Sequence, residues 1–164
     1  MRWVTCRSPS CGGSVGALSE VLNELSSRQR GPQASGGIGH MIELPRRDRC
    51  EFCEGMAGRD DSWAVVAESE LCLTVVNPYQ FEVGQCCVIT RRHAATLLDI
   101  TDVEGAAIIE AAREIALAML AAYRPLGILT YQNNGVYSGQ EVPHFHFHVV
   151  PRQKESDWGI GPPQ

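Results

Sequence analysis

The sequence predicts an α+β domain with a mainly antiparallel β-sheet, one long helix and a short one. Three observations predict this fold class. From Arg46 onward, short runs of β-branched and apolar residues alternate with turn residues. An Ala-rich segment interrupts these runs and carries its large apolar residues at helical spacing. No internal repeat is present, which favours one sheet with a packed helix over a repeat architecture.

The strands are predicted in two groups, on either side of the Ala-rich segment. The first group is a meander that follows the start of the domain, and Asn77-Pro78 separates its second and third strands. The second group is joined by the polar loop 134–141. The predicted strands cover residues 63–67, 71–76, 84–90, 127–133 and 143–150.

The long helix is predicted to begin after Thr101 and to end near Tyr123. Thr101 is a suitable N-cap, and Glu104 three residues later completes the pattern of a capping box. Pro125 and Gly127 follow the last helical residue and end the helix.

The first part of the chain has a different composition. Residues 1–45 are rich in Gly, Ser and Arg, so we expect a flexible segment there and a domain over residues 46–164. Within the first segment, apolar residues at helical spacing predict a short amphipathic helix over 17–28. A further hypothesis is that Met41 is the true start of translation and that the residues before it are an extension.

Length and charge limit the function. The 164 residues are 44% hydrophobic, which is enough for one domain with a core. The net charge of −5 is spread along the chain, so we expect neither nucleic acid nor a membrane as a partner, and any ligand phosphates must be held locally. Without a long apolar run or a secretory signal, the chain is expected in the cytosol, where its seven cysteines stay reduced.

Three histidines alternate with apolar residues near the end of the domain. In a strand, His144, His146 and His148 share one face, while Phe145 and Phe147 face the other way. From this pattern alone, a polar strand face or one metal bound by all three histidines remains an alternative to catalysis. The preceding loop favours chemistry on phosphate, because we expect its backbone to offer exposed N–H donors at residues 138–140.

A neutral imidazole can attack phosphorus and later leave it, so a phosphohistidine splits one displacement into two steps. One ring nitrogen must then be unprotonated while the other is held as a donor. The spacing of the row lets His146 attack while His148 donates a hydrogen bond to a phosphate oxygen or to the leaving oxygen.

The segment His144-Phe-His146-Phe-His148-Val-Val resembles the signature of the histidine-triad (HIT) superfamily. Upstream, Gly139-Gln140-Glu141-Val142 is similar to the Gly-Gln-Ser-Val segment of its nucleotide-binding branch, and Asn133-Asn134-Gly135 resembles its asparagine motif. Asn77-Pro78 falls where members place an Asp or Asn on the ribose. The resemblance covers residues 46–152 and implies a HIT-like fold.

The resemblance implies a role for individual residues. His146 would be the nucleophile, and His148 would contact the α-phosphate. Asn77 would contact the ribose. The remaining implied substrate-binding residues hold the phosphate region: Asn133, Gly139, Gln140 and Val142.

It also implies an activity: hydrolysis or nucleotidyl transfer on a dinucleoside polyphosphate or a nucleoside phosphoramidate, through a covalent nucleotidyl-histidine. The implied partner is a purine nucleotide, and a homodimer is common in the superfamily. Two alternatives stay open: a phosphorylase that uses phosphate in place of water, and a nucleotide-binding or scaffolding protein with little catalysis.

Two positions depart from the family pattern. Glu141 stands where a small hydroxyl residue commonly meets the leaving group, and its carboxylate would repel a polyphosphate tail. Val83-Gly84-Gln85 replaces the usual Pro/Lys-Gly-His.

Cys50-Glu51-Phe52-Cys53 has the spacing of a turn whose two thiolates chelate one Zn²⁺. Alone, the pair could equally be two ordinary cysteines. The resemblance implies that His93 and His144 complete a Cys2His2 site, as in many bacterial members. Four protein ligands leave no open position, so this zinc would be structural.

Other residues have simpler interpretations. Trp63 and Phe81 could line a purine slot, although aromatic residues beside strands are more often core. Arg152 follows the histidine strand and could meet a polyphosphate, although a surface arginine is commoner. Cys6 and Cys11 could form a second metal site. Three further cysteines are expected to be core thiols: Cys72, Cys86 and Cys87.

Overall fold

The computed structural model of the chain describes residues 42–59 and 63–153. Their central feature is a five-stranded antiparallel sheet in the order β1-β2-β3-β5-β4. The strands are β1 Val65–Glu68, β2 Cys72–Val76, β3 Cys86–Thr90, β4 Gly127–Tyr131 and β5 His146–Arg152. The predicted fold class is confirmed, and each predicted strand overlaps an observed one.

The long helix α2, Asp102–Tyr123, has the predicted capping box. The Thr101 hydroxyl accepts from the backbone N–H of Glu104, and the Glu104 carboxylate accepts from the backbone N–H of Thr101. The helix ends where Arg124 adopts a left-handed conformation at φ 48°. Its buried residues, among them Ile108, Ile115 and Met119, pack on one face of the sheet.

The short helix α1, Glu51–Met56, lies where the sequence suggested only a turn. It begins without a side-chain cap on Cys50, and it is too short to be stable by itself, so packing must stabilise it. Phe52 and Met56 of α1 pack on the buried cluster Leu73, Val75, Cys87 and Ile89, on the sheet face opposite α2. The amphipathic helix predicted over 17–28 lies outside the described residues.

The register of β3 and β5 positions the site. Cys87 is opposite His148, and Ile89 is opposite His146. Because side chains alternate along a strand, Cys86 and Val149 belong to the core beneath α2, while Cys87 and Ile89 face α1. The histidines therefore lie on the α1 side of the sheet. Within residues 42–59 and 63–153, no helix is both long and apolar enough to cross a membrane.

Candidate functional site

His146 is held by the backbone just before β5. Its Nδ1 lies 2.7 Å from the carbonyl oxygen of His144. A carbonyl only accepts, so Nδ1 carries the proton and Nε2 keeps its lone pair. Burial lowers the pKa of His146 below its ordinary value, although the His144 carbonyl and the Glu141 carboxylate oppose this shift. The ring is therefore neutral near pH 7, with one nitrogen able to attack an electrophile.

His148 lies next to His146, with the ring centroids 4.9 Å apart. The Tyr131 ring stacks on His148 at 4.2 Å, with 10° between the ring planes. On the β3 side, Nδ1 of His148 faces the Cys87 Sγ at 3.1 Å and the Gln85 Nε2 at 3.3 Å. Burial, and then the neighbouring His146, lower the pKa of His148 to about 3. Both histidines at this end of the row are therefore neutral.

His144 is oriented differently. Its Nε2 donates to the Thr90 carbonyl at 2.8 Å, so Nδ1 keeps its lone pair. This Nδ1 lies 3.2 Å from Cys50 Sγ and 3.6 Å from Cys53 Sγ. Burial is the main cause that lowers the pKa of His144 to about 4, so the ring is neutral and can ligate a metal.

The predicted metal ligands come together. Cys50, Cys53, His93 and His144 each offer one ligand atom, and these atoms lie within 4.8 Å of one another. His93 completes the group, with Nδ1 3.4 Å from Cys53 Sγ. The donor set of two thiols and two imidazoles suits zinc, and the Thr90 carbonyl supplies the outer hydrogen bond that commonly orients a histidine ligand.

The loop that carries His93 is tied to helix α2. Arg92 donates to both carboxylate oxygens of Glu104, at 2.9 and 2.7 Å. The Arg92 guanidinium is the main reason that the pKa of Glu104 falls to about 2. The same carboxylate caps α2 through Thr101. The capping box and the position of His93 therefore depend on one side chain.

Phe52 forms an aromatic wall over the histidines, and sequence reasoning missed it. Its ring lies edge-on to His146 at 5.1 Å, to His144 at 5.7 Å and to Trp63 at 5.7 Å. Of the two aromatic residues proposed for a purine slot, Trp63 packs beside this wall, whereas Phe81 is 62% exposed. The sequence does place Phe52 between the two cysteines. Its position over the histidines can be predicted from this only if α1 is known to be a helix.

The expectation of exposed backbone donors at residues 138–140 is wrong. The loop curls into a 3-10 turn, Val136–Ser138, and Gly139 follows in the left-handed region at φ 82°. The three N–H groups consequently point back to the carbonyls of Gly135 and Val136, at 3.0 to 3.1 Å. These backbone N–H groups therefore stabilise the loop itself and are not exposed.

Gln140 joins this loop to its surroundings. Its side chain is buried, accepts from the Gly135 N–H at 2.6 Å, and donates to the carbonyls of Ala95 and Val142. All of these partners are internal, so a direct contact between Gln140 and a phosphate stays a prediction.

The other predicted substrate residues are placed as follows. Asn133 donates to the Gly139 carbonyl at 3.2 Å, which links the end of β4 to the loop. Val142 is half-buried, and its carbonyl also accepts from the His144 N–H at 2.8 Å. Asn77 accepts from the Tyr79 N–H at 2.9 Å, which makes a local turn after β2.

Arg152 lies 3.8 Å from Glu82, and both side chains are largely buried rather than at the surface.

Comparison with known proteins gives a consistent result. Residues 60–155 match the HIT domain family. The chain is 34% identical over 114 residues to Protein hit of Bacillus subtilis, which covers 70% of this chain and 77% of the relative. It is 30% identical over 112 residues to adenosine 5'-monophosphoramidase hnt1 of Schizosaccharomyces pombe, covering 68% and 80% of the two chains.

A third relative is longer than the matched region. The match to AP-4-A phosphorylase of Mycobacterium tuberculosis is 32% identical over 101 residues and covers 61% of this chain but 49% of that protein.

Solved structures agree with the sequence matches. A HIT family protein from Bacillus anthracis superposes with a TM-score of 0.66 at 32% identity, covering 73% of this chain and 83% of that one. A Zn-bound histidine triad family protein from Mycobacterium smegmatis superposes with a TM-score of 0.62 at 26% identity, covering 70% and 84%.

Proposed function

The chain belongs to the HIT domain family, and from that premise we propose that it is a nucleotide hydrolase or nucleotidyl transferase acting through His146. The observation that carries the proposal is the 2.7 Å contact between His146 Nδ1 and the His144 carbonyl. It assigns the proton to Nδ1 and leaves Nε2 as an unprotonated, buried nucleophile.

The reaction has two steps. The lone pair of His146 Nε2 attacks the α-phosphorus of a nucleotide, the bond from phosphorus to nitrogen or oxygen breaks, and the leaving group takes up a proton from water. Water then attacks the nucleotidyl-histidine, releases one proton, and returns the lone pair to Nε2. His148, beside His146, donates a hydrogen bond to an α-phosphate oxygen as negative charge develops.

The nucleoside is proposed to lie on the α1 side of the sheet. Phe52 and Trp63 form an aromatic edge there, next to His146 and above the apolar side chains of β2 and β3. A purine needs an apolar surface of this kind. In this arrangement Asn77 contacts the ribose. The residues of the phosphate region are Asn133, Gly139, Gln140 and Val142.

Glu141 favours a phosphoramidate over a polyphosphate as the substrate. Its exposed carboxylate acts electrostatically on both His146 and Tyr131, so a charged group bound at His146 would also experience its field. A polyphosphate tail would meet like charge, whereas a neutral or cationic amine would not. The relative named adenosine 5'-monophosphoramidase supports this choice.

Zinc is the proposed metal of the Cys2His2 group. Cys50, Cys53, His93 and His144 would hold it, and the Zn-bound relative supports the identity of the ion. Four protein ligands give it a structural role, which is to tie α1 and the His93 loop to the start of β5. The cytosol, our proposed location, keeps such thiols reduced.

A homodimer is also proposed. Strand β4 lies at one edge of the sheet, and α2 exposes Ile109, Leu117 and Leu120. A strand at the edge of the described sheet and exposed apolar side chains on one helix are typical of a surface that a second copy covers. Light scattering after size exclusion should give twice the mass of one chain, and a monomer at micromolar concentration would contradict the proposal.

Product analysis tests the activity. Adenosine phosphoramidate and diadenosine polyphosphates are incubated with the protein, with and without inorganic phosphate, and the products are separated by chromatography. We expect AMP from the phosphoramidate at the higher kcat/KM, independent of phosphate. Incorporation of phosphate into a nucleoside diphosphate would instead support the phosphorylase alternative, which the mycobacterial relative's name represents. Binding without any turnover would support the scaffolding alternative.

A further inference from the structure

Gln85 is fully buried beside the catalytic histidines, although no predicted role was given to it. It precedes β3, and its main chain is fixed from both sides: its N–H donates to the Glu82 carbonyl, and its carbonyl accepts from the Asn77 N–H. Because the side chain is also fully buried, it has little freedom to rotate away from its neighbours. Its amide orientation can therefore be read from its partners.

The backbone of Phe81 determines which end of the amide faces the histidine. The Phe81 N–H donates to Gln85 Oε1 at 2.9 Å, so the oxygen is on that side. Gln85 Nε2 must then point the other way, where it lies 3.3 Å from His148 Nδ1 and 3.5 Å from the Tyr131 hydroxyl. An amide nitrogen only donates, and His148 Nδ1 must therefore accept.

We propose that Gln85, aided by Cys87, is a positioning residue that holds His148 as the tautomer with its proton on Nε2. The Cys87 Sγ lies 3.1 Å from the same Nδ1, so its thiol hydrogen provides a second donor. The inference rests on the proposed function only for the role of this tautomer, which is to present Nε2–H to a phosphate oxygen of the bound nucleotide.

The charge states agree with this assignment. Burial raises the pKa of the Cys87 thiol to about 12, so the thiol keeps its hydrogen near pH 7. Burial is also the first cause of the low pKa of His148, so its ring is neutral and carries a single proton. If that proton were on Nδ1, it would oppose the Gln85 amide hydrogens, and Nε2 could not donate to a phosphate.

Nitrogen NMR of the full-length protein without substrate tests the tautomer. Long-range correlations of ¹⁵N-labelled histidine distinguish protonated from unprotonated ring nitrogens, and the signals of His148 are assigned from their loss in His148→Asn. We expect an unprotonated Nδ1 and a protonated Nε2 in the unmodified protein. A protonated Nδ1 would overturn the inference outright.

Gln85→Glu is the decisive variant, because it keeps the shape and the acceptor for Phe81 while placing a carboxylate oxygen against His148. Nδ1 should then gain a proton, and its resonance should move to the protonated position; an unchanged resonance would overturn the inference. Gln80→Glu is the matched control, since Gln80 Oε1 also accepts a backbone N–H of this loop, that of Gly84 at 2.6 Å. An equal shift in the control would show a general charge effect and would also overturn it.

If Gln85→Glu fails to fold, the double variant Gln85→Met, Cys87→Val removes both donors without adding charge. Both neutral tautomers of His148 should then be populated, and a single Nε2–H tautomer would overturn the inference. The measurement uses no substrate, so it is independent of turnover. A protein that holds the Nε2–H tautomer but cleaves no nucleotide would contradict the proposed function alone.

Discussion

The two ends of the histidine row differ in how the protein uses the same side chain. At the proposed metal end, His144 donates from Nε2 to the Thr90 carbonyl and turns Nδ1 toward two thiols. At the proposed catalytic end, His146 donates from Nδ1 to the His144 carbonyl, which leaves Nε2 available for attack. One backbone carbonyl in each case selects the nitrogen that keeps its lone pair. Which ring nitrogen meets the carbonyl, and what the other nitrogen then faces, therefore separates a ligand from a nucleophile.

The surroundings of the two ends also differ. His144 is in contact with α1 and the His93 loop, which are distant in sequence and need a linking group. His146 pairs with β3 and also contacts Phe52 of α1, whereas His148 pairs with both β3 and β4 within the hydrogen-bonded sheet. The catalytic end should therefore tolerate loss of the metal better than the metal end does.

The largest expected effect is at the nucleophile. His146→Asn should lower kcat on adenosine phosphoramidate by on the order of 10⁴-fold or more, because no other group replaces the attacking nitrogen. Nucleotide affinity, measured by calorimetry, should change by only a few fold, because the aromatic wall of Phe52 remains. If the rate stays near that of the unmodified protein, His146 is not the nucleophile.

A smaller loss is expected at His148. His148→Asn should lower kcat by roughly 10²- to 10³-fold, as expected for removal of one donor to developing charge. Rapid-quench kinetics should show that nucleotidyl-histidine still forms, but more slowly. A loss as large as that of His146→Asn would instead assign an obligatory chemical step to His148.

Removing the metal should affect stability more than chemistry. Cys50→Ser should abolish binding of about one zinc per chain and lower the melting temperature by roughly 5 to 10 °C, with kcat reduced far less than in the histidine variants. The zinc content is measured by elemental mass spectrometry, and the melting temperature by calorimetry. Cys72→Ala is the matched control, because Cys72 is a buried thiol in the core beneath α2. Retention of zinc in Cys50→Ser would contradict the proposed site.

The smallest effect concerns the ion pair that holds the His93 loop. The pKa of Glu104 falls to about 2 because Arg92 stabilises the charged form. A lowered carboxylate pKa contributes stability above the unfolded-state value near 4.5, and this contribution is lost as the pH falls through about 2.

Glu104→Gln should therefore reduce the free energy of unfolding by about 1 to 2 kcal/mol at pH 7, a value discounted because Arg92 is half-exposed. The difference from the unmodified protein should shrink toward pH 2. Urea unfolding with a chelator present at both pH values checks this without a contribution from zinc. A difference that does not depend on pH would contradict this account, because both the Arg92 pair and the Thr101 cap act on the ionised Glu104 carboxylate.

The sequence predicted the parts that depend on local patterns. The alternation of His146 to Val150 and the capping box at Thr101 both have a fixed local geometry, and both were found. The strand was predicted to start at residue 143, but β5 begins at His146, so His144 precedes it. Helix α1 was missed because only tertiary packing of Phe52 and Met56 stabilises so short an element. The prediction of exposed backbone N–H groups in loop 138–140 was wrong, because the left-handed Gly139 turns these groups inward.

The contacts of His148 could not be predicted for a different reason. Cys87 was expected to be a core thiol, and it is buried as expected. Its position opposite His148 depends on the register between β3 and β5, which no pattern within either strand determines. The same is true of Gln85, whose approach to His148 also requires the turn at Phe81.

Trapping of the covalent intermediate tests the central claim most directly. The protein is mixed with adenosine phosphoramidate, quenched within one turnover under conditions that preserve phosphorus–nitrogen bonds, digested and examined by mass spectrometry. We predict one AMP unit on the peptide that contains the histidine row, located at His146, and none in His146→Asn. Steady turnover with no adenylylated histidine, or with AMP on another residue, would contradict the account.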